Sequence, residues 1–117
     1  MIALGGASGA LLRYGIGRAA QLGGISFPTG TLVVNLTGAF ALGFLATFLL
    51  ERTTVSPELR LGITVGVLGA YTTFSTFSLE TLNLLNDGEW QFALLNVVVS
   101  TAGSVLLAWA GQSVARA

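Results

Sequence analysis

The sequence predicts an all-α integral membrane protein with four transmembrane helices, the third of them broken mid-membrane. Only 9% of the 117 residues are charged and 53% are hydrophobic, whereas soluble domains carry about 25% charged residues. Four helices of about 20 residues each would take up roughly two-thirds of the chain and leave only short connections. The composition therefore excludes a soluble globular domain, a large soluble domain beside a membrane anchor, and a disordered protein.

The residue types that the chain lacks exclude most catalytic chemistry. There is no cysteine and no histidine, so zinc, iron–sulfur and haem sites lose their usual donors and nucleophilic catalysis loses its usual base. The five basic residues balance five acidic ones, and they form no basic run that would bind nucleic acid. We expect neither an enzyme nor a nucleic-acid-binding protein.

Four apolar stretches make up a single domain over residues 1–117. The first one carries Arg13 and Arg18 after its apolar core, which is the reverse of a signal peptide. Pro28 suits the entry to the second helix, and Ser56 with Pro57 suits the start of the third, as N-cap and first helical residue. The predicted helices cover residues 2–22, 29–50, 59–85 and 90–114.

The third stretch contains a run that is poorly suited to a helix. Five of the seven residues from Thr72 to Ser78 carry hydroxyls, and the other two are Phe74 and Phe77. Hydroxyl side chains compete for backbone hydrogen bonds, and β-branching lowers helix propensity. We predict a break near residues 69–76. Irregular backbone at membrane depth is tolerated only where protein buries it or where it lines a wet cavity.

The arginines give little preference for one orientation in the membrane. One side would carry Arg52, Arg60 and Arg116, and the other Arg18 together with Arg13 if that side chain extends that way. Such a weak bias for the positive-inside rule permits insertion in both orientations, and hence an antiparallel homodimer. A uniform topology is the alternative that charge alone leaves open.

Small residues recur at helical spacing in the first and third stretches. Gly5, Gly9 and Gly17 lie four or eight residues apart, and Gly62 with Gly66 forms a GxxxG motif. Such residues allow membrane helices to approach closely. We therefore expect a tight assembly of helices.

Polar groups within the apolar stretches are candidates either for helix–helix bonds or for ion contacts. Asn35 lies in an uncharged stretch and can donate two hydrogen bonds. Asn96, Ser100 and Ser104 follow at i, i+4 and i+8, which places them on one helix stripe, although serines of this kind often bond to their own backbone. Donors and aromatic ring edges suit an anion, whereas cation pores favour carbonyl or carboxylate rings. These residues indicate a channel or transporter for a small anion.

Arg13 and Glu80 are the two charges deepest in apolar stretches. An unpaired charge there is costly, so we expect the two side chains to pair with each other, with an ion contact for either as the alternative.

Three motifs together resemble the Fluc (CrcB) family of fluoride channels. The third motif is the most specific, and the match is strong over the first three predicted helices. The motifs are Gly5-Gly6-Ala7-Ser8-Gly9-Ala10 with Arg13-Tyr14, Gly30-Thr31-Leu32-Val33-Val34-Asn35 with Gly38, and Gly69-Ala70-Tyr71-Thr72-Thr73-Phe74-Ser75-Thr76-Phe77-Ser78 with Glu80.

The resemblance implies a fluoride-selective channel in a prokaryotic plasma (inner) membrane that exports cytoplasmic fluoride passively. It implies an antiparallel, dual-topology homodimer with two pores and a structural sodium ion on the dimer axis. The sodium would be held by the backbone carbonyls of Gly69 and Thr72 from both subunits. The implied pore residues are the amide of Asn35, the ring edges of Phe74 and Phe77, Ser75 and Thr76 in the broken helix, and Ser100 and Ser104 in a polar track.

Two other classes of protein compete with this interpretation. A small four-helix proton-coupled multidrug exporter would also be a dual-topology dimer, but it needs a carboxylate in the first helix, where this chain has Arg13 and no acid. A non-transporting assembly subunit would leave the broken third helix unexplained.

Overall fold

The fold is a bundle of helices with one interruption. The computed structural model describes residues 1–23 and 27–117, and within these ranges it contains helices and no strand. The elements are α1 (Ile2–Gln21), α2 (Thr29–Glu51), α3 (Pro57–Leu61), a π-helical segment (Gly62–Leu68), α4 (Gly69–Tyr71), α5 (Phe74–Asn86) and α6 (Trp90–Arg116).

Two pairs of helices pack with their backbones almost in contact, and glycines make this possible. Along α1, a Cβ atom on Gly5 or Gly9 would collide with the carbonyl oxygens of Gly62 and Val67 in the π segment. Along α2 and α6, a Cβ on Gly43 or Gly111 would collide with backbone of the facing helix in the same way. In each pair, the contacts advance toward the C-terminus along both helices, so the two helices of a pair run parallel.

The third predicted helix is divided into four pieces. It begins at Pro57, where the Ser56 hydroxyl accepts a hydrogen bond from the Leu59 N–H at 3.2 Å, as an N-cap does. The π segment that follows was not predicted. After α4 the backbone becomes extended, with ψ 156° at Thr72 and φ −152° at Thr73. The interruption lies within residues 69–76, where the hydroxyl-rich run predicts it.

Within residues 1–23 and 27–117, two helices are long and apolar enough to cross a membrane. These are α2, with a mean hydropathy of 2.0, and α6, with 1.8. Each piece of the third stretch is by itself too short to span a bilayer, which takes about 20 helical residues, since the longest piece, α5, has 13 residues. The first helix has 20 residues and includes two arginines.

The glycine contacts predict that substitutions within α1 differ sharply in their cost. Gly9→Ala should lower the thermal stability of the protein in detergent, because the new methyl group meets the backbone of Val67, which cannot move aside. Overpacking of this kind costs roughly 1–3 kcal/mol. Gly6→Ala and Gly15→Ala are matched controls, since a Cβ at either position has nothing within 4 Å and the gain in helix propensity is the same. Equal melting temperatures for all three variants would contradict the predicted close contact.

Candidate functional site

The side chain of Asn35 on α2 holds the interruption with two hydrogen bonds. Its Nδ2 donates to the carbonyl of Thr73 at 2.9 Å, and the Thr73 N–H donates to its Oδ1 at 2.8 Å. In a continuous helix that N–H would bond to the carbonyl of Gly69 four residues earlier. The amide of Asn35 therefore replaces a helical bond and keeps Thr73 extended.

The interruption also leaves main-chain carbonyls without their helical donors. Among the hydrogen bonds of the described residues, none reaches the carbonyl oxygen of Gly69 or Thr72. The carbonyl of Ala70 accepts instead from Nε of Arg13 at 2.9 Å. Unpaired carbonyl oxygens are ligands of the kind that hard cations prefer, so Gly69 and Thr72 could hold a cation such as sodium.

Both predicted pore phenylalanines lie in the first turn of α5. Phe77 is buried, whereas Phe74 is 78% exposed. Their ring centroids lie 5.5 Å apart with an interplanar angle of 46°. Tilted rings of this kind can turn a positive edge toward an anion.

The hydroxyls at the start of α5 form a cap on the helix. The Thr73 Oγ1 accepts from the Thr76 N–H at 3.2 Å and donates to Thr76 Oγ1 at 3.1 Å. Ser75 is exposed on the single chain. The Thr73 side chain thus starts α5 immediately after the extended residues.

A cavity of about 520 Å³ reaches this part of the structure. Its walls come from α1, the start of α2, α5 and the turn that follows α5. The polar residues that line it include Arg13, Arg18, Thr31, Thr73, Thr76, Glu80, Asp87 and Glu89. A space lined by hydroxyls and by charges of both signs is polar enough to hold water beside the interruption.

The prediction of an ion pair between Arg13 and Glu80 is wrong. Both residues lie in the described ranges, and each finds a different partner: Glu80 accepts a hydrogen bond from the Thr31 hydroxyl, and Arg13 donates to the Ala70 carbonyl. The reason is the break itself, because it frees the Ala70 carbonyl beside α1.

The polar stripe on α6 faces protein, although its members differ. Asn96 is 2% exposed and Ser100 is 6% exposed. Nδ2 of Asn96 donates to Thr81 Oγ1 at 2.9 Å, and Ser100 Oγ donates to Asn96 Oδ1 at 3.1 Å. Ser104 is half-buried. Asn96 therefore makes a helix–helix bond, and Ser100 bonds to a side chain rather than to its own backbone.

Three threonines whose bonding partners were not predicted from the sequence hold this site together. Thr31 bonds to Glu80, Thr73 bonds to Asn35, and Thr81 bonds to Asn96. Thr31 could have been found from spacing, since it lies four residues before Asn35 and so on the same helix face.

Comparison with known proteins identifies relatives over nearly the whole chain. A family profile described as CrcB-like protein, Camphor Resistance (CrcB), matches residues 1–112. A protein of Citrifermentans bemidjiense named Fluoride-specific ion channel FluC is 50% identical over 117 residues, covering 99% of this chain and 94% of the relative. Its namesake in Geobacter sulfurreducens is 50% identical over 116 residues, covering 98% and 94%. The Rhizobium meliloti namesake is 45% identical over 118 residues, covering 100% and 94%.

These relatives are named as ion channels, which confirms the expectation that the chain is not an enzyme. The same match confirms the resemblance drawn from the three motifs and indicates a membrane protein. With a family profile that covers residues 1–112 and relatives at 50% identity, the chain belongs to the CrcB family.

Proposed function

We propose that this chain is a subunit of a fluoride channel that exports fluoride passively from the cytoplasm. Its family membership supports this function, since its relatives carry the name Fluoride-specific ion channel. The observation in this chain that carries the proposal is the interruption at Thr72 and Thr73. There Asn35 fixes an extended backbone directly before Phe74 and Phe77.

The chemistry along the cavity suits a small, strongly hydrated anion. Crossing an apolar layer requires donors that replace the water around the ion, since an unsolvated charge there is very costly. Arg13 and Arg18 line the cavity together with Glu80, Asp87 and Glu89. An anion would therefore be attracted to the two guanidinium groups and kept away from the three carboxylates. Of the proposed pore residues, Thr76 lines this cavity. Beyond the cavity, the ion would be solvated along a narrow path by the hydroxyls of Ser75, Ser100 and Ser104, the amide of Asn35 and the edges of the two rings.

Four membrane-spanning segments are part of the proposal. Among the helices that the structure describes, only α2 and α6 are by themselves long and apolar enough to cross a membrane. We propose that α1 and the segment from α3 to α5 span it as well. The cost of placing Arg13 within α1 is reduced because its Nε donates to the Ala70 carbonyl. The longest dimension, 51 Å, exceeds the bilayer thickness of about 40–45 Å. The membrane would be the prokaryotic plasma (inner) membrane.

An antiparallel homodimer would complete the site. The single chain leaves Gly69 exposed and Phe74 78% exposed beside an interrupted helix. Irregular backbone is not stable in contact with lipid in the hydrocarbon core, so we propose that a second copy of the chain covers the interruption. Because the arginines favour neither orientation strongly, the two copies can insert in opposite directions and form two pores related by symmetry.

A sodium ion would suit the dimer axis. The carbonyl oxygens of Gly69 and Thr72 would hold it, from both subunits, because neither accepts a hydrogen bond from the described residues. Such an ion supplies a fixed positive charge between the two interruptions. In this chain, Asn35 keeps the Gly69 carbonyl free by accepting the N–H of Thr73, and the Thr73 hydroxyl keeps the Thr72 carbonyl free by accepting the N–H of Thr76.

Ion efflux from liposomes that contain the purified protein tests the function. Fluoride and chloride are loaded together, and ion-selective electrodes follow their release after a potassium ionophore is added. Rapid fluoride release without chloride release is expected. Chloride release at a comparable rate would refute the selectivity, and no release of either ion would refute the channel.

Substitution of either ring should slow fluoride release without unfolding the protein. Phe74→Ile and Phe77→Ile keep an apolar side chain but remove the positive ring edge, and each should slow the release at least about tenfold, or ~1.4 kcal/mol in the barrier. Phe48→Ile is the matched control, because Phe44 and Phe48 also lie 5.5 Å apart, stacked on α2. Wild-type rates in both α5 variants, in dimers of normal size on gel filtration, would contradict the role of the rings.

Dual topology predicts that each loop is accessible from both sides of the membrane. Because the chain contains no cysteine, Thr54→Cys and Asp87→Cys each introduce a single label site at an exposed position without changing any arginine. A membrane-impermeant maleimide added to intact spheroplasts should label about half of each variant, since two opposite orientations expose each loop equally. Complete labelling of one variant and none of the other would refute dual topology.

A further inference from the structure

A chain of side-chain hydrogen bonds connects α6 to the first turns of α5. Ser100 Oγ donates to Asn96 Oδ1 at 3.1 Å, Asn96 Nδ2 donates to Thr81 Oγ1 at 2.9 Å, and Thr81 Oγ1 donates to the carbonyl of Phe77 at 2.8 Å. The chain of bonds therefore ends on the main chain of Phe77.

The direction of every bond in this chain follows from counting hydrogens. Thr81 has a single hydroxyl hydrogen, and it lies on the Phe77 carbonyl. The Thr81 oxygen must then accept from Asn96, which sets the orientation of the amide, as such networks do. The amide oxygen consequently faces Ser100, whose hydroxyl hydrogen is held by Asn96.

Simple packing does not account for a buried amide at this position. The hairpin of α5 and α6 already has apolar side chains in its core, including Leu84 at 5% and Ala93 at 2% exposure. An apolar residue in place of Asn96 would avoid the cost of burying an amide. The amide adds a fixed connection between one carbonyl on α5 and one hydroxyl on α6.

We propose that Asn96 and Thr81 are positioning residues of the ion path, an inference that rests on the proposed fluoride channel. Through them, α6 fixes the Phe77 carbonyl, and with it the first turn of α5, against the polar stripe. They also direct the Ser100 hydrogen, which must leave Asn96 before it can donate to an anion. Neither residue needs to contact the ion.

Two variants break the connection at different points. Thr81→Val removes the hydroxyl from an almost isosteric side chain, and Asn96→Leu removes the amide. Because both interrupt one chain of bonds, each should slow fluoride release by at least about fivefold, and the double variant should be no slower than the slower single variant. Thr81→Ser keeps the hydroxyl and should stay within about twofold of the wild type.

Thr64→Val is the matched control. The Thr64 hydroxyl donates to the carbonyl four residues earlier, as the Thr81 hydroxyl does, and none of the described bonds joins it to another helix. Its release rate should equal that of the wild type.

The outcomes separate this inference from the proposed function. No fluoride release by the wild type refutes the channel itself. Wild-type release rates in Thr81→Val and Asn96→Leu, or additive losses in the double variant, refute the positioning role alone. Failure of both single variants to form dimers would also overturn it, because the residues would then serve only folding. If one variant fails to fold, the fluoride release rate of the other variant relative to that of the wild type decides the question.

Discussion

The rest of the site depends on the pair of hydrogen bonds between Asn35 and Thr73. A helix that stops inside an apolar environment must satisfy the groups it releases, since each unpaired one costs several kcal/mol there. Asn35 meets this requirement at the point of interruption, because its amide offers a donor and an acceptor to the N–H and carbonyl of one residue. Thr73 can then cap α5 with its hydroxyl, and the helix restarts in a fixed position.

Further features of the site follow from that interruption. The Ala70 carbonyl becomes available to Arg13, which gives a half-buried cation a neutral partner and leaves Glu80 to accept from Thr31. The carbonyls of Gly69 and Thr72 are left without a hydrogen-bond donor among the described residues, and Phe74 and Phe77 are brought to the start of a helix beside a polar cavity. Close glycine contacts between α1 and the π segment place Arg13 within reach of the break.

The sequence alone predicted much of this arrangement where the chemistry is local. Hydroxyl-rich, β-branched residues weaken a helix wherever they occur, so the interruption could be located within a few residues, and Ser56 with Pro57 identified the start of the third stretch. Partners could not be predicted as well. Arg13 and Glu80 are opposite charges in apolar stretches, but their pairing was wrong because a freed carbonyl and a threonine hydroxyl lie within reach in the fold. The composition of the π segment does not distinguish it from a weakened α-helix, since its glycines and β-branched residues lower helix propensity without indicating a wider turn. The segment coincides with the glycines that contact α1. The pore roles, the sodium ion and the antiparallel dimer remain predictions drawn from the resemblance.

The most direct measurement of the central claim is the fluoride release rate of Asn35→Leu in liposomes. Leucine has the same number and branching of side-chain heavy atoms as asparagine but can neither donate to the Thr73 carbonyl nor accept from its N–H. Thr47→Val, a substitution at a buried position of the same helix, is the control. If the interruption held by Asn35 forms the ion path, Asn35→Leu releases no fluoride above the empty-liposome rate while it still assembles as a dimer, and Thr47→Val releases fluoride normally. Fluoride release at the wild-type rate by Asn35→Leu would contradict the account.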